Sequence, residues 1–182
     1  MCRLFSLIVL LALMALPALT APEQYRLDRA ASIVGFTYLL DGAPSQGRMP
    51  VKSADIRLDP RDLAASSVSV TLDAHAARAG FVLATDALRG PDILDTAHHP
   101  EIRFRSTRID GTLMGATVDG TLTVRGITRP VSLHARLYRQ RGSAEQDLSR
   151  LTVLLTGAIS RRAFGATGYK ALVGDRIELE II

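Results

Sequence analysis

Between residues 116 and 138, apolar and polar positions alternate with a period of two. Val118, Leu122 and Val124 fall on one side, and Thr117, Thr121 and Thr123 on the other. After Arg125-Gly126 the alternation resumes, with Val131, Leu133, Ala135 and Leu137 set against Ser132, His134, Arg136 and Tyr138. A strand buried on one face produces this pattern. The stretch therefore predicts two strands joined by a tight turn. Gly126 supplies the backbone conformation that other residues resist, and Pro130 sets the start of the second strand.

The same reading extends along the chain. Short runs at 23–29, 33–40, 48–58 and 66–74 predict strands, with 42–47 as a loop between the second and third. In 33–40, Val34, Phe36, Tyr38 and Leu40 share a side. Residues 76–89 are rich in Ala and Leu and predict a helix, stopped by Gly90-Pro91. Residues 92–99 are irregular or a single helical turn. Strands follow at 101–109, 116–124, 130–138, 151–160 and 176–182, with a polar hairpin loop over 140–149. The expected architecture is all-β, an antiparallel barrel of about eight strands with one helical insertion. A barrel of that size either fills its interior with side chains or holds one small ligand.

The 182-residue length fits one domain preceded by a short segment. Residues 4–19 are an apolar run after Arg3, ending in Pro17-Ala18-Leu19-Thr20-Ala21. This is the pattern of a secretory signal peptide, and the run is short for a membrane span. We expect a signal peptide at 1–21 and the barrel domain at 22–182, hence a periplasmic or secreted protein. An uncleaved N-terminal anchor is the other reading. The one cysteine, Cys2, precedes the apolar run, so the processed chain would rely on its core rather than on disulfides.

Net charge is +4, and Lys52 and Lys170 are the only lysines. Arg103, Arg105 and Arg108 form one cluster and Arg136, Arg139 and Arg141 another. Both share strands with apolar partners and read as solvated faces. A nucleic-acid surface would need a denser basic patch with interleaved aromatics, so no nucleic-acid partner is expected.

The motifs, taken in order, resemble the YceI-like family, polyisoprenoid- or lipid-binding proteins with a lipocalin-like barrel. The carriers are Tyr25-Arg26-Leu27-Asp28 with Ser32, Val34, Gly35 and Phe36, then Ile56, Leu58, Asp59 and Pro60, then Ser66, Ser67, Val68 and Val70. Asp86, Leu88 and Arg89 with Asp92, Ile93, Leu94 and Asp95 are similar to the central segment. The run from His99 to Thr107 resembles Y-P-x-I-x-F-x-S-T. Residues 119–131 are the most specific piece, and Ile159, Arg161, Phe164 and Gly165 resemble the close. Leu40, Ala87 and Ala163 stand where members often carry histidine, histidine and an acid, so the polar end of any pocket differs.

The resemblance implies a non-enzymatic carrier or sequestering protein, without a cofactor, that threads an isoprenoid or other long-chain lipid into the barrel. The residues it implies for ligand contact are Phe36, Tyr38, Leu40, Val68, Val70, Leu72, Asp86, Leu88, Phe104, Leu122, Val124 and Leu133. The chain would not be an integral membrane protein after signal removal, and a homodimer is compatible with it. The alternative is a barrel filled with side chains, serving as a periplasmic interaction or stress-response module.

Other chemistry is weaker. His98 and His99, neighbours on an extended segment, point opposite ways, and their spacing with Asp92 and Asp95 matches no zinc pattern. They read as an exposed loop pair. Asp86 and Arg89 have the spacing of an i, i+3 ion pair or of a polar gate at the barrel mouth. Asp28, Ser32 and His134 lack the G-x-S-x-G elbow of a hydrolase. Arg161 reads as an ion-pair partner or a cap on a short helix.

Overall fold

The computed structural model describes residues 22–139 and 147–182. Residues 1–21, expected to be a signal peptide, Arg141 and most of the 140–149 segment lie outside the described residues. Within them the chain forms eleven strands, in the order β1-β4-β5-β7-β8-β9-β10-β11-β2-β3-β6. The strands are β1 (Glu23–Tyr25), β2 (Val34–Leu40), β3 (Ala43–Met49), β4 (Val51–Leu58), β5 (Ser67–Asp73), β6 (Arg78–Ala79), β7 (Glu101–Thr112), β8 (Gly115–Val124), β9 (Ile127–Arg139), β10 (Leu151–Ser160) and β11 (Val173–Ile181). Every pairing is antiparallel. The sheet is mostly β, strongly curled into a half-barrel, with one short helix, α1 (Val82–Arg89).

Several sequence expectations change. The sheet has eleven strands rather than about eight, and its ladder ends at β1 and β6 without closing. Of residues 42–47, read as a loop, only Gly42 is in the turn and 43–47 belong to β3, because Asp41 and Gly42 have φ of 49° and 77° and close a two-residue hairpin between Leu40 and Ala43. Positive φ at both central positions is the geometry that Asp-Gly favours. The single strand expected over 48–58 is two strands parted at Pro50. β3 runs beside β2, β4 beside β5, and the Pro50 carbonyl accepts from Asp73 N at 3.0 Å. Passing from one side of the strand order to the other at Pro50 is what curls the sheet.

Pro44 and Pro130 sit inside strands, where a proline must avoid a ladder on its N–H side. β6 covers only Gly47 and Arg48 of β3, and β10 covers β9 only from His134 onward, so both prolines lie where one flank is free. The helix expected over 76–89 is shorter, because β6 occupies its beginning. The β8–β9 turn follows the sequence reading, with φ of 52° at Arg125 and 73° at Gly126.

The inner face carries the core. Val118, Leu122, Val124, Val131 and Leu133 are buried, together with Ile102, Ile109, Met49 and Phe164. Ser132, His134, Arg136 and Tyr138 face outward as the alternation required.

Candidate functional site

The curled sheet encloses a cavity of about 1360 Å³. Its wall is the inward-facing row of nearly every strand. β2 places Phe36, Tyr38 and Leu40 there, β5 Val68, Val70 and Leu72, β7 Phe104, β8 Leu122 and Val124, β9 Leu133, and α1 Asp86 and Leu88. All twelve sequence-derived positions thus fall on one cavity. The alternation puts the ten strand positions there, since in each strand every second side chain points inward, and α1 brings Asp86 and Leu88.

The wall is mostly apolar, and among the described residues no large side chain is fully buried. In a filled barrel the central Leu, Ile and Phe would lose all contact with a solvent-sized sphere. Here Phe36, Val70 and Phe104 on the wall are only half-buried, with one flank on the open space. The Phe36 and Tyr38 rings lie 6.2 Å apart at 34°. The Tyr38 hydroxyl is buried with no hydrogen-bond partner.

The cavity has two unlike ends. β2 runs from Val34, beside Ile181, to Leu40, beside Val173. At the Val34 end the wall includes Arg26, Asp28, Ser32, Thr112, Ser149 and Arg150. The Tyr25 hydroxyl donates to Leu148 O at 3.0 Å and ties the N-terminal segment to the 148–150 segment there. At the Leu40 end the wall includes Phe81, Leu83, Tyr169 and Leu172. Arg125 Nη1 donates to Ile93 O at 2.9 Å, and Gly168 N to Asp92 O at 3.0 Å, fixing the 90–99 segment across that end. The sequence reading missed these end residues, because loops carry no periodic signal.

Arg161 organises the α1 end. It is 5% exposed. Its Nε donates to Gly174 O at 2.9 Å, Nη1 to Ala166 O at 2.7 Å and Gly168 O at 2.8 Å, and Nη2 to Val173 O at 2.8 Å. It is neither an ion pair nor a side-chain cap: four backbone carbonyls satisfy it, and burial lowers its pKa. Next to it, desolvation works to raise the pKa of Asp175. Hydrogen bonds from Arg162 N at 3.0 Å and Ser160 Oγ at 2.8 Å outweigh that and hold it below the usual range.

The remaining candidates do not converge. Arg89 Nε donates to Ala77 O at 3.0 Å, and among the described residues it makes no ion pair with Asp86. The i, i+3 pair is absent because Arg89 turns back to pin α1 onto the segment before it. Asp86 is exposed at the cavity wall. His98 Nδ1 lies 2.9 Å from Asp95 Oδ1 with its side chain mostly exposed, and among the described residues no group of three metal-ligating side chains exists. The His98 contact holds the Asp95 carboxyl below its usual pKa. His134 is exposed on β9, while Asp28 and Ser32 are in the cavity wall, so no triad forms. Arg103 and Arg105 are exposed, with Arg103 on Glu101.

A curled antiparallel half-barrel around one long apolar cavity, without a catalytic constellation among the described residues, is the class of protein that fold and site define. The chain belongs to the YceI-like domain family, which matches residues 25–182. It is 33% identical over 82 residues to the Protein YceI of Escherichia coli O17:K52:H18, covering 45% of this chain and 43% of that protein. It is 28% identical over 94 residues to a UPF0312 protein of Pseudomonas aeruginosa, covering 52% and 49%. The chain thus spans about half the length of the curated relatives it matches. Among solved structures it is similar to Burkholderia cenocepacia BcnA, with a TM-score of 0.74 at 23% identity over 86% of this chain and 97% of that one. Campylobacter jejuni YCEI protein gives 0.60 at 22% identity over 74% and 80%. At such identities the structural likeness speaks for the fold.

Proposed function

We propose that the protein is a non-enzymatic carrier or sequestering protein that holds an isoprenoid or similar long apolar chain inside the half-barrel, as a lipocalin-like barrel holds its ligand. The observation that carries this reading is the hollow apolar interior. Left empty, a void of this size would cost on the order of 30 kcal/mol at the measured price of core cavities, more than the whole stability of a domain. The space is therefore filled, by water or by a ligand. Water against an apolar wall gains little. Burying about 400 Å² of prenyl or acyl chain contributes ~10 kcal/mol gross, against an association cost of about 4–15 kcal/mol. A long chain binds usefully and a short one marginally. The volume also exceeds the several hundred Å³ usual for compact small-molecule sites, which favours an extended ligand.

The apolar segment at 4–19 supports export, and with it a periplasmic or secreted site of action. Among the described residues no helix is long and apolar enough to cross a membrane.

The test is to purify the protein natively without detergent, extract it with organic solvent and take a mass spectrum. A stoichiometric lipid supports the carrier. Lipid-free preparations that also fail to bind added prenyl or acyl chains would sink it. They would leave the interaction or stress-response module, working from its outer surface. Val70→Asp should abolish lipid recovery, with circular dichroism confirming that the sheet persists.

A further inference from the structure

The charged groups of the cavity wall are sorted by end. At the Val34 end the wall includes Arg26 and Arg150, which come from segments remote in sequence. The hydrogen bond from the Tyr25 hydroxyl to Leu148 O joins those segments, immediately before Arg26 and just before Arg150. Both arginines are exposed, and among the described residues neither has an ion-pair partner. The acids nearest them in the chain are turned to their own segments. Asp28 Oδ1 accepts from Ala30 N at 3.1 Å and Ala31 N at 3.3 Å, and Asp147 Oδ1 from Ser149 N at 3.0 Å and Ser149 Oγ at 2.6 Å. At the α1 end the sign reverses. The exposed charged side chains of the wall there are Asp86 and Asp92, while Arg161 is buried and donates to four carbonyls. Asp41 stands beside this end, its N–H donating to Leu172 O at 2.8 Å, and exposed Lys170 lies outside the wall. Between the two ends, among the described residues, the wall carries no charged side chain.

We propose that the ligand of this cavity is a long-chain anion, with its carboxylate or phosphate head on Arg26 and Arg150 and its chain running toward the α1 end. The inference rests on the carrier reading and deepens it. An ionised head cannot enter the apolar middle of the cavity without losing its hydration, so it stays at one of the two ends. At the α1 end it would face the carboxylates of Asp86 and Asp92. At the Val34 end it meets two guanidinium groups, whose planar forks match a carboxylate or a phosphate. The chain then covers the apolar wall between, and its far end reaches Phe81, Leu83, Tyr169 and Leu172, where the wall again is apolar. A neutral chain would draw nothing from the arginines, and a cationic one would be turned the other way round.

Natively purified protein is loaded with the neutral fluorophore N-phenyl-1-naphthylamine, and chains of matched length are titrated against it. One set is palmitate, hexadecanol and hexadecylamine; the other is geranylgeranyl phosphate and geranylgeraniol. Each anion should displace the fluorophore about tenfold more tightly than the alcohol of the same chain. Added salt should narrow that gap, because both arginines are exposed. Arg26→Gln with Arg150→Gln should close most of it, with circular dichroism confirming that the sheet persists. An advantage for one of the two anions alone supports the site and names its head group. Anions that bind no tighter than alcohols overturn the proposal and leave the carrier intact. So does an anion advantage that survives the double substitution, or a preference for the amine that Asp86→Asn removes. Failure of the fluorophore and of every chain to bind overturns the carrier reading, and the proposal with it.

Discussion

Phe36 on β2 lies directly across the ladder from Gly47 on β3, and its ring covers the glycine where a Cβ would stand. The Arg78 carbonyl closes the same space from β6, 2.8 Å from that Cβ position. The ring can rotate away, but the carbonyl is held in the β3–β6 ladder. Gly47→Ala should therefore cost about 1–3 kcal/mol, as overpacking does. It should also push the Phe36 ring into the cavity. A urea titration reads the first effect. The second appears as reduced uptake of an added prenyl chain. An unchanged midpoint would mean that the β3–β6 contact yields freely.

Arg161 is a second fixed point. Its four carbonyl acceptors come from residues 166–174, which build the α1 end of the cavity. Arg161→Met preserves much of the volume and removes every donor, leaving buried acceptors unsatisfied. We expect a loss on the order of 2–4 kcal/mol, read by urea denaturation. Arg161→Lys keeps the charge without the planar fork, so it should recover only part of that loss. Full recovery by lysine would show that charge matters more than the fork.

Tyr38→Phe should do the opposite. Most buried tyrosines lose a hydrogen bond on such a change, but the Tyr38 hydroxyl has no partner. Its burial costs desolvation without return. Thermal denaturation should show the variant as stable as the parent, or more so by up to about 1 kcal/mol. A clear loss of stability would reveal a partner for that hydroxyl.

The strand faces were legible because burial on one side imposes a period of two. The hairpin through Arg125-Gly126 and the inward rows of β5, β8 and β9 follow from that alone. Residues 43–47 were misread because Pro, Ser and Gly fall among them, although Asp41-Gly42 is itself a hairpin signal. The split at Pro50 was hidden inside an apolar-polar pattern that continues through it. Whether the interior is hollow could not be read at all. Leu122 and Val124 show the same alternation whether they touch a side chain or open space, and only the spacing between distant strands decides. Arg161 likewise has no local signal, since its acceptors are brought to it by the β10–β11 connection.

Glu101 offers a test by pH. Its carboxylate accepts from Lys52 Nζ at 2.7 Å and from Arg103 Nη2, and the two hydrogen bonds hold its pKa below the usual glutamate range. The folded state thus holds the proton less tightly than the unfolded chain. The contribution is in place above the unfolded value of about 4.3. It fades as pH falls through the lower folded value. Glu101→Gln should leave stability nearly unchanged at low pH, lower it slightly at neutral pH and flatten the acid limb between. Some slope should persist in the variant, because Asp95, Asp147 and Asp175 are also held below their usual values. Glu101 and its two partners are all near the surface, so high salt should shrink the difference between the two proteins. Urea midpoints measured from acid to neutral pH, at low and high salt, check both points. A difference that grows toward low pH would reverse the assigned sign.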